Sequence, residues 1–204
     1  MGVLRAYGID GVTMRAVAAE LDTGPASLYV YVENRQDLLN QMFDLVAGEV
    51  DPGGKPDPAH WRKQVEGLLT RTLEVMDRHP GIARVPLANI PTGPNVSKLA
   101  DHLIAILRAG GIDDRSIAWF IDVAFLFVNA TAYESAIYAE AGKRDELIAE
   151  PIREAFAELN PADYPNLISM SPLLTVGGRD ERFAFGLRLL LEGLLHTSPT
   201  EVGG

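Results

Sequence analysis

The side chains that most often carry catalysis or bind metals occur here without the spacing that such chemistry needs. The chain has no cysteine, which excludes a thiol nucleophile and a cysteine-ligated zinc or iron–sulfur site. Its histidines lack the His-x-x-x-His spacing of a helical metal site; they are His60, His79, His102 and His196. The sequence contains no Gly-x-Ser-x-Gly, His-Glu-x-x-His or phosphate-binding glycine-rich motif. It therefore predicts neither an enzyme, nor a metal site, nor a bound cofactor.

The composition is typical of a soluble globular protein with an acidic surface. Of the 204 residues, 47% are hydrophobic and 23% are charged, which are ordinary values. The net charge of −10 argues against non-specific binding to nucleic acid. No apolar run reaches the roughly 18 residues of a membrane span, and the N-terminus does not resemble a secretory signal. We expect a cytoplasmic protein that has no contact with a membrane.

Almost every periodic stretch has helical spacing, and no stretch alternates apolar and polar residues as a strand would. The sequence therefore predicts an all-α fold. Residues 51–58, Asp-Pro-Gly-Gly-Lys-Pro-Asp-Pro, form a loop on composition alone. This loop separates a predicted N-terminal domain over residues 1–48 from a predicted C-terminal domain over residues 57–204. Residues 160–178 have no clear period and contain three prolines and two glycines, so we expect a long loop there.

The first 33 residues contain a helix, a tight turn and a second, short helix. Residues 12–21 form the first of these, and Thr13 is placed to cap its start. Gly24 and Pro25 then interrupt the helical pattern, and the second helix is predicted over residues 26–32. This layout is that of a helix-turn-helix, whose second helix enters the DNA major groove. A third helix follows, with Asn34 as its cap.

The residues of this segment resemble the N-terminal domain of TetR-family transcriptional repressors. The shared elements are Gly8-x-x-x-x-Thr13, Leu28-Tyr29 and Arg35-x-x-Leu38-Leu39, within an ungapped match of about 40 residues. Near the C-terminus, residues 183–187 and 192–194 resemble the last dimer helix of the family's actinobacterial branch. The resemblance implies a helix-turn-helix domain followed by an all-helical ligand-binding and dimerisation domain. It also implies a homodimer that represses transcription on a palindromic operator and is released by a small-molecule effector.

The resemblance also assigns DNA contacts to individual residues. Arg15 stands where the family often reads a guanine edge, and a bidentate Arg–guanine contact is the commonest specific one. Further base contacts are implied at the start of the recognition helix, for Pro25, Ala26 and Ser27. The positions that match phosphate contacts, which set register but not sequence, are Thr13, Tyr29, Tyr31 and Arg35. On residue type alone, both tyrosines fit half-buried packing residues equally well, and Arg35 fits a solvated surface charge.

Two departures from the family pattern concern the same segment. Only residues 1–6 precede Tyr7, which is about half of the family's first helix, and there is no basic arm. The first 50 residues carry three basic against seven acidic side chains. Because phosphate neutralisation supplies most non-specific affinity, we expect weak and salt-sensitive DNA binding. The alternative function is a helical dimer that binds a small molecule or a protein and has lost DNA binding.

Two apolar helices in the second half predict the dimer. Residues 117–128 contain a single charge, Asp122, and a helix that is apolar all round must be covered on more than one face. The last helix carries an apolar stripe of Phe183, Leu187, Leu190, Leu191, Leu194 and Leu195. Two such helices from each subunit predict a four-helix interface, and the other interpretation is an ordinary monomer core.

Polar and aromatic residues on apolar faces are the candidate effector contacts. Along the tetracycline-repressor pattern, Asn89 and His102 fall at two pocket positions. Further candidates for the pocket are Trp61, Phe120, Phe127, Asn129 and Tyr133. The histidine that coordinates magnesium in the tetracycline repressor falls at Pro86, which cannot ligate a metal. The expected effector is therefore largely apolar and is not a magnesium–tetracycline complex.

Overall fold

The computed structural model describes residues 1–88, 90–140, 142 and 145–197, and within them it contains eleven helices and no strand. The all-α prediction is confirmed. In chain order the helices are α1 Gly2–Gly11, α2 Met14–Glu20, α3 Pro25–Leu28, α4 Arg35–Ala47, α5 Trp61–Asp77, α6 Arg84–Ala88, α7 Pro94–Ala109, α8 Asp114–Glu140, α9 Asp145–Ala157, α10 Pro165–Leu174 and α11 Arg179–His196. We call α1–α4 the head and α5–α11 the body.

Local signals set the helix ends in the head, as the sequence predicted. The Thr13 hydroxyl accepts a hydrogen bond from Ala16 N at 3.1 Å and caps α2. The Asn34 side chain accepts from Asp37 N at 3.0 Å and caps α4. Between them, Pro25 occupies the first turn of the short helix α3. These residues fix where α2, α3 and α4 begin.

Helix α1 is kinked at Gly8, whose φ of 67° and ψ of −178° interrupt the helix. Residues with a side chain rarely adopt this backbone conformation, so the kink requires glycine. The kink turns Ile9 inward, where it is buried with Val3 and Leu4 in the main core. A smaller cluster of Ala18, Leu28 and Val32 holds α2 and α3 together.

The core of the body lies around α8, which packs against α5, α6, α7 and α11. Its inner face is buried against the apolar faces of α5 and α7. The side chains most completely buried here are Val65, Leu68, Leu69, Leu103, Ile106, Leu107 and Val128. Burial of this apolar surface is the main stabilising contribution to the body.

Part of the segment predicted as a loop over residues 160–178 is helical, so that prediction is wrong. Helix α10 spans Pro165–Leu174 and packs on α9. Pro165 stands in the first turn of α10, where the missing N–H has no intrahelical partner to lose. Pro172 lies inside the helix but close to its end. The loop prediction rested on the lack of a clear helical period and on the prolines and glycines of the segment.

Part of the apolar stripe that the sequence assigned to the dimer interface is buried within its own subunit, whereas Leu190, Leu194 and Leu195 are half-buried. Phe183, Leu187 and Leu191 are only 4%, 2% and 2% exposed in a single subunit. The outward face of α11 carries Phe185 and Leu189, which are 57% and 58% exposed. In the N-terminal half of α8, the exposed large apolar side chains are Trp119, Val123 and Leu126. We call these five residues the outer apolar face, and we expect a second subunit to cover it.

The apolar character of α8 has a related consequence. By length and composition alone, the segment Asp114–Ala139 could cross a membrane, with a mean hydropathy of 1.5. A core helix of a soluble protein meets the same criteria, and part of α8 is buried in this fold. Its outward side keeps Trp119, Val123 and Leu126 exposed in one subunit, and we expect a dimer to cover them.

We predict that Phe185→Glu combined with Leu189→Glu converts the dimer to a monomer, because charges buried without partners are costly. Sedimentation velocity is the measurement. Leu45→Glu, the same kind of change at an exposed residue of α4, is the control and leaves the dimer intact. A double variant that still sediments as a dimer would rule out this face.

Candidate DNA-binding surface and effector cavity

The residues assigned to DNA contact lie on one part of the head and are all exposed. Arg15 is in the first turn of α2, next to the Thr13 cap, and Pro25, Ala26 and Ser27 form the start of α3. Tyr29 and Tyr31 follow α3, with more than half of each side chain open to solvent. The packing interpretation of the two tyrosines therefore does not hold within the subunit. An exposed, aromatic and polar surface of this kind can reach phosphates and base edges.

Arg35 has a structural contact that the sequence did not indicate. Its Nε donates to Val12 O at 2.6 Å, and its Nη2 donates to Ile9 O at 2.8 Å. The side chain thus joins the start of α4 to the corner between α1 and α2. A guanidinium has five donors, so a phosphate contact by Arg35 stays a prediction.

Three of the seven acidic side chains in residues 1–50 are paired with groups outside the DNA-binding surface. Asp10 pairs with Arg84 at 2.9 Å, and Glu49 lies 2.9 Å from the buried His79. Asp44 is buried and accepts hydrogen bonds from α7. The head therefore presents less uncompensated negative charge to DNA than its composition indicates.

A cavity of about 310 Å³ lies between the head and the body helices. Its wall is largely apolar and is built from α4, α5, α6, the segment after α6, α7 and α8. The lining residues are Phe43, Ala47, Thr72, Met76, Pro86, Leu87, Ile90, Pro91, Val96, Leu99, Ala100, Ile121, Asp122, Phe125, Leu126 and Asn129. Apolar walls with a few polar groups are typical of small-molecule sites.

Helix α4 is fixed to α7 beside this cavity by the Asp44 carboxylate. Oδ1 accepts from Asn95 N at 2.9 Å and from Val96 N at 3.0 Å, and Oδ2 accepts from Asn95 Nδ2 at 3.0 Å. These backbone N–H groups belong to the first turn of α7 and have no acceptor within their own helix. A negative charge there is also favoured by the helix dipole. Gly93 allows this approach, because a Cβ at that position would collide with Asp44.

Comparison with known proteins identifies the family to which this chain belongs. The family model described as Bacterial regulatory proteins, tetR family, matches residues 1–42. The model described as Tetracyclin repressor-like, C-terminal domain, matches residues 54–198. The chain belongs to the TetR family. The resemblance deduced from the N-terminal motif is confirmed over nearly the whole chain.

Relatives of this TetR-family chain include curated regulators and solved structures. The HTH-type transcriptional repressor DrrR1 of Streptomyces coeruleorubidus is 30% identical over 93% of this chain and 72% of its own length. The tetracycline repressor protein class G of Vibrio anguillarum is 25% identical over 94% of this chain and 87% of its own. ActR of Streptomyces coelicolor, solved in complex with actinorhodin, superimposes with a TM-score of 0.86 at 33% identity, over 96% of this chain and 92% of its own. The chain is thus a ligand-responsive, dimeric DNA-binding regulator.

Of the residues predicted to contact the effector, the structure places Asn129 in the cavity wall. Asn89 lies outside the described residues. His102 is half-buried on α7, does not line the cavity, and has an Nε2 atom that finds no partner in the described part of the chain.

The four aromatic candidates lie elsewhere in this TetR-family fold. Trp61 packs against Gly110 beyond the far end of α7, and Phe120 is buried in the core. Phe127 stacks on Phe183 with ring centroids 5.2 Å apart. Tyr133 lines a cleft between α1 and α8. Helical spacing from Asn129 gives Phe125 and Ile121, which do line the cavity, so a consistent i, i+4 face would have found them.

We predict that Arg35→Ala changes the stability of the fold, whereas Arg15→Ala changes only how the protein recognises the DNA sequence. Arg35→Ala removes two charge-assisted hydrogen bonds and should lower the free energy of unfolding by about 1–3 kcal/mol, while weakening binding to all DNA sequences alike. Arg15→Ala, the control, should leave stability unchanged and relax the preference at one base pair. Urea denaturation and fluorescence anisotropy measure the two effects. Equal stability of the two variants would contradict the structural role of Arg35.

Proposed function

We propose that this regulator is a repressor that holds a palindromic operator and releases it when a largely apolar small molecule fills the cavity between α4 and α8. The observation that carries the proposal is that α4 belongs to both sites. Its first residue, Arg35, is bonded to the helix-turn-helix corner, and its residues Phe43 and Ala47 line the cavity. A molecule in the cavity therefore touches the helix that positions the DNA-reading helices.

The proposed release works through the spacing of the two heads in the dimer. Two recognition helices must lie about 34–36 Å apart to enter successive major grooves. Movement of α4 against α7 changes this spacing, because Arg35 makes the head follow α4. The effector needs only to bind the moved conformation more tightly than the DNA-bound one. Asp44 and Asn95 sit at the contact that such a movement would alter.

The proposed DNA contacts are base contacts from Arg15, Pro25, Ala26 and Ser27, and phosphate contacts from Thr13, Tyr29, Tyr31 and Arg35. Their common exposure on α2, α3 and the following turn supports the assignment. It also speaks against the alternative in which DNA binding has been lost, as does the family match over residues 1–42. That match and the match over residues 54–198 support the division into domains over 1–48 and 57–204.

The proposed effector is a small molecule bound without a metal. ActR was solved with actinorhodin and with (S)-DNPA, which supports a small organic ligand for this chain. Pro86 lines the cavity and offers no metal ligand. The proposal places the protein in the cytoplasm and gives it no enzymatic activity, as the transcriptional regulators related to it support.

The test of the repressor function is binding to the DNA upstream of the protein's own gene. We expect specific binding, with Arg15→Ala costing about 1–3 kcal/mol at one base pair of the site. Affinity should fall steeply with salt because phosphate contacts release counterions. Fluorescence anisotropy at two salt concentrations, with a random sequence of equal length as the control, measures both. Equal affinity for the two DNAs would favour the helical dimer that has lost DNA binding.

We further predict that Asp44→Ala uncouples α4 from α7. Removing this carboxylate leaves two N–H groups of α7 without an acceptor and should lower stability by about 1–3 kcal/mol. It should also weaken operator binding, because the position of the head is no longer held. Asp113→Ala is the control, since Asp113 accepts from Ser116 N at 3.0 Å and caps α8 away from α4. Thermal unfolding and anisotropy measure the outcome, and operator affinity unchanged by Asp44→Ala would exclude this coupling.

A further inference from the structure

We propose that the cavity selects a cationic, ring-bearing molecule whose protonated nitrogen lies at Asp122 and whose opposite end bonds to Asn129. This inference rests on the proposed function, because it assigns a ligand class to the cavity treated there as the effector site. It adds a charge preference that an apolar wall alone does not supply.

Asn129 is a buried polar group that faces the cavity without a partner. It is only 6% exposed and lines the cavity on α8. Its side chain makes no hydrogen bond to any residue in the described part of the chain. The carboxamide has two donors and one acceptor oxygen, and none of them is used within the described part of the protein. A ligand hydroxyl or carbonyl would satisfy them.

Thr72, another polar residue of the cavity wall, has no free hydrogen-bond donor on its side chain. Its hydroxyl already donates to Leu68 O within α5 at 2.9 Å. Asn129 is therefore the polar group at the buried end of the cavity with donors to spare.

Asp122 supplies the charge. It is the single ionisable side chain among the residues that line the cavity, and neither lysine nor arginine lines it. Asp122 is exposed, and it forms no ion pair with any residue that the structure describes. A carboxylate at the mouth attracts a cation and repels an anion, and no positive charge in the wall offsets the repulsion. The net charge of −10 acts on approaching ligands in the same direction.

The distance between the two groups sets the size of the ligand. Asp122 and Asn129 are seven residues apart on α8, which is about 10 Å along a helix axis. Phe43 and Phe125 lie in the wall with them, and aromatic faces stack on flat rings and attract cations. Met76 adds a side chain that adapts to irregular shapes. A flat molecule of about three fused rings with a basic nitrogen fits these requirements.

The test uses three dyes of similar ring size and different charge, added to the full-length dimer without DNA. They are proflavine, a cation, acridone, which is neutral, and anthracene-9-carboxylate, an anion. We expect proflavine to bind about five- to tenfold more tightly than acridone, and the anion to bind most weakly. Fluorescence titration gives the three dissociation constants.

Variants assign the preference to its residues. Asp122→Asn, which keeps the shape of the side chain, should remove the advantage of proflavine and leave acridone binding unchanged. Asn129→Leu should weaken both dyes. Glu74→Gln, which removes an exposed carboxylate of α5 outside the cavity, is the matched control and should change neither. Thermal unfolding and sedimentation show that each variant folds and remains a dimer.

The outcomes separate this inference from the function beneath it. Dyes that bind in the cavity without a charge preference, or a preference that survives Asp122→Asn, overturn the cation assignment alone. A dimer that dissociates in Asp122→Asn also overturns it, because the carboxylate would then serve the subunit interface. Ala100→Trp fills the cavity, so dye binding that Ala100→Trp does not affect overturns the effector site as well.

Discussion

The carboxylate of Asp44 fixes α4 to the first turn of α7, and the proposed coupling between head and body depends on this contact. It comes from the helix that carries the head, and it satisfies backbone N–H groups of a helix in the body. A carboxylate buried without partners would be costly, so the two helices are favoured only in this relative position. The cavity opens beside the same contact, with Phe43 and Ala47 on one helix and Val96 on the other. Any molecule that fills the cavity must therefore fit this position or change it.

Other contacts of α4 reinforce this arrangement at its two ends. Arg35 binds the carbonyls of Ile9 and Val12 at its start. Beyond its end, Glu49 contacts the buried His79 at the end of α5. The head is thus held by polar contacts at defined points in addition to the apolar side chains that α4 buries in the core. Several acidic residues of the head take part in this fixation, which explains why an acidic head is compatible with a DNA-binding surface.

The dimer follows from a different constraint. Helix α8 is so apolar that its composition alone would suit a membrane, yet its inner face already forms the core of the body. Some of the apolar side chains that remain exposed in one subunit are on α8 and α11, among them Trp119, Phe185 and Leu189. A second copy of the chain would cover such a surface, and TetR-family regulators are dimers.

The sequence by itself determined the all-helical class, the helix-turn-helix with its Thr13 and Asn34 caps, and the family. These features depend on neighbouring residues, because a cap, a proline at a helix start or a 3.6-residue period acts within a few positions.

The sequence did not indicate the helix over residues 165–174, because that segment has no clear helical period and contains prolines. Of the residues predicted to contact the effector, Asn129 lies in the cavity wall and the aromatic ones lie elsewhere, and their contact with an effector stays a prediction. Only the tertiary structure decided which side chains of α11 are covered by their own subunit. The same is true of Asp44 and Asn95, which are 51 residues apart and leave no local pattern. Periodicity shows that a face is apolar, but the surface that covers it is set by how distant helices pack.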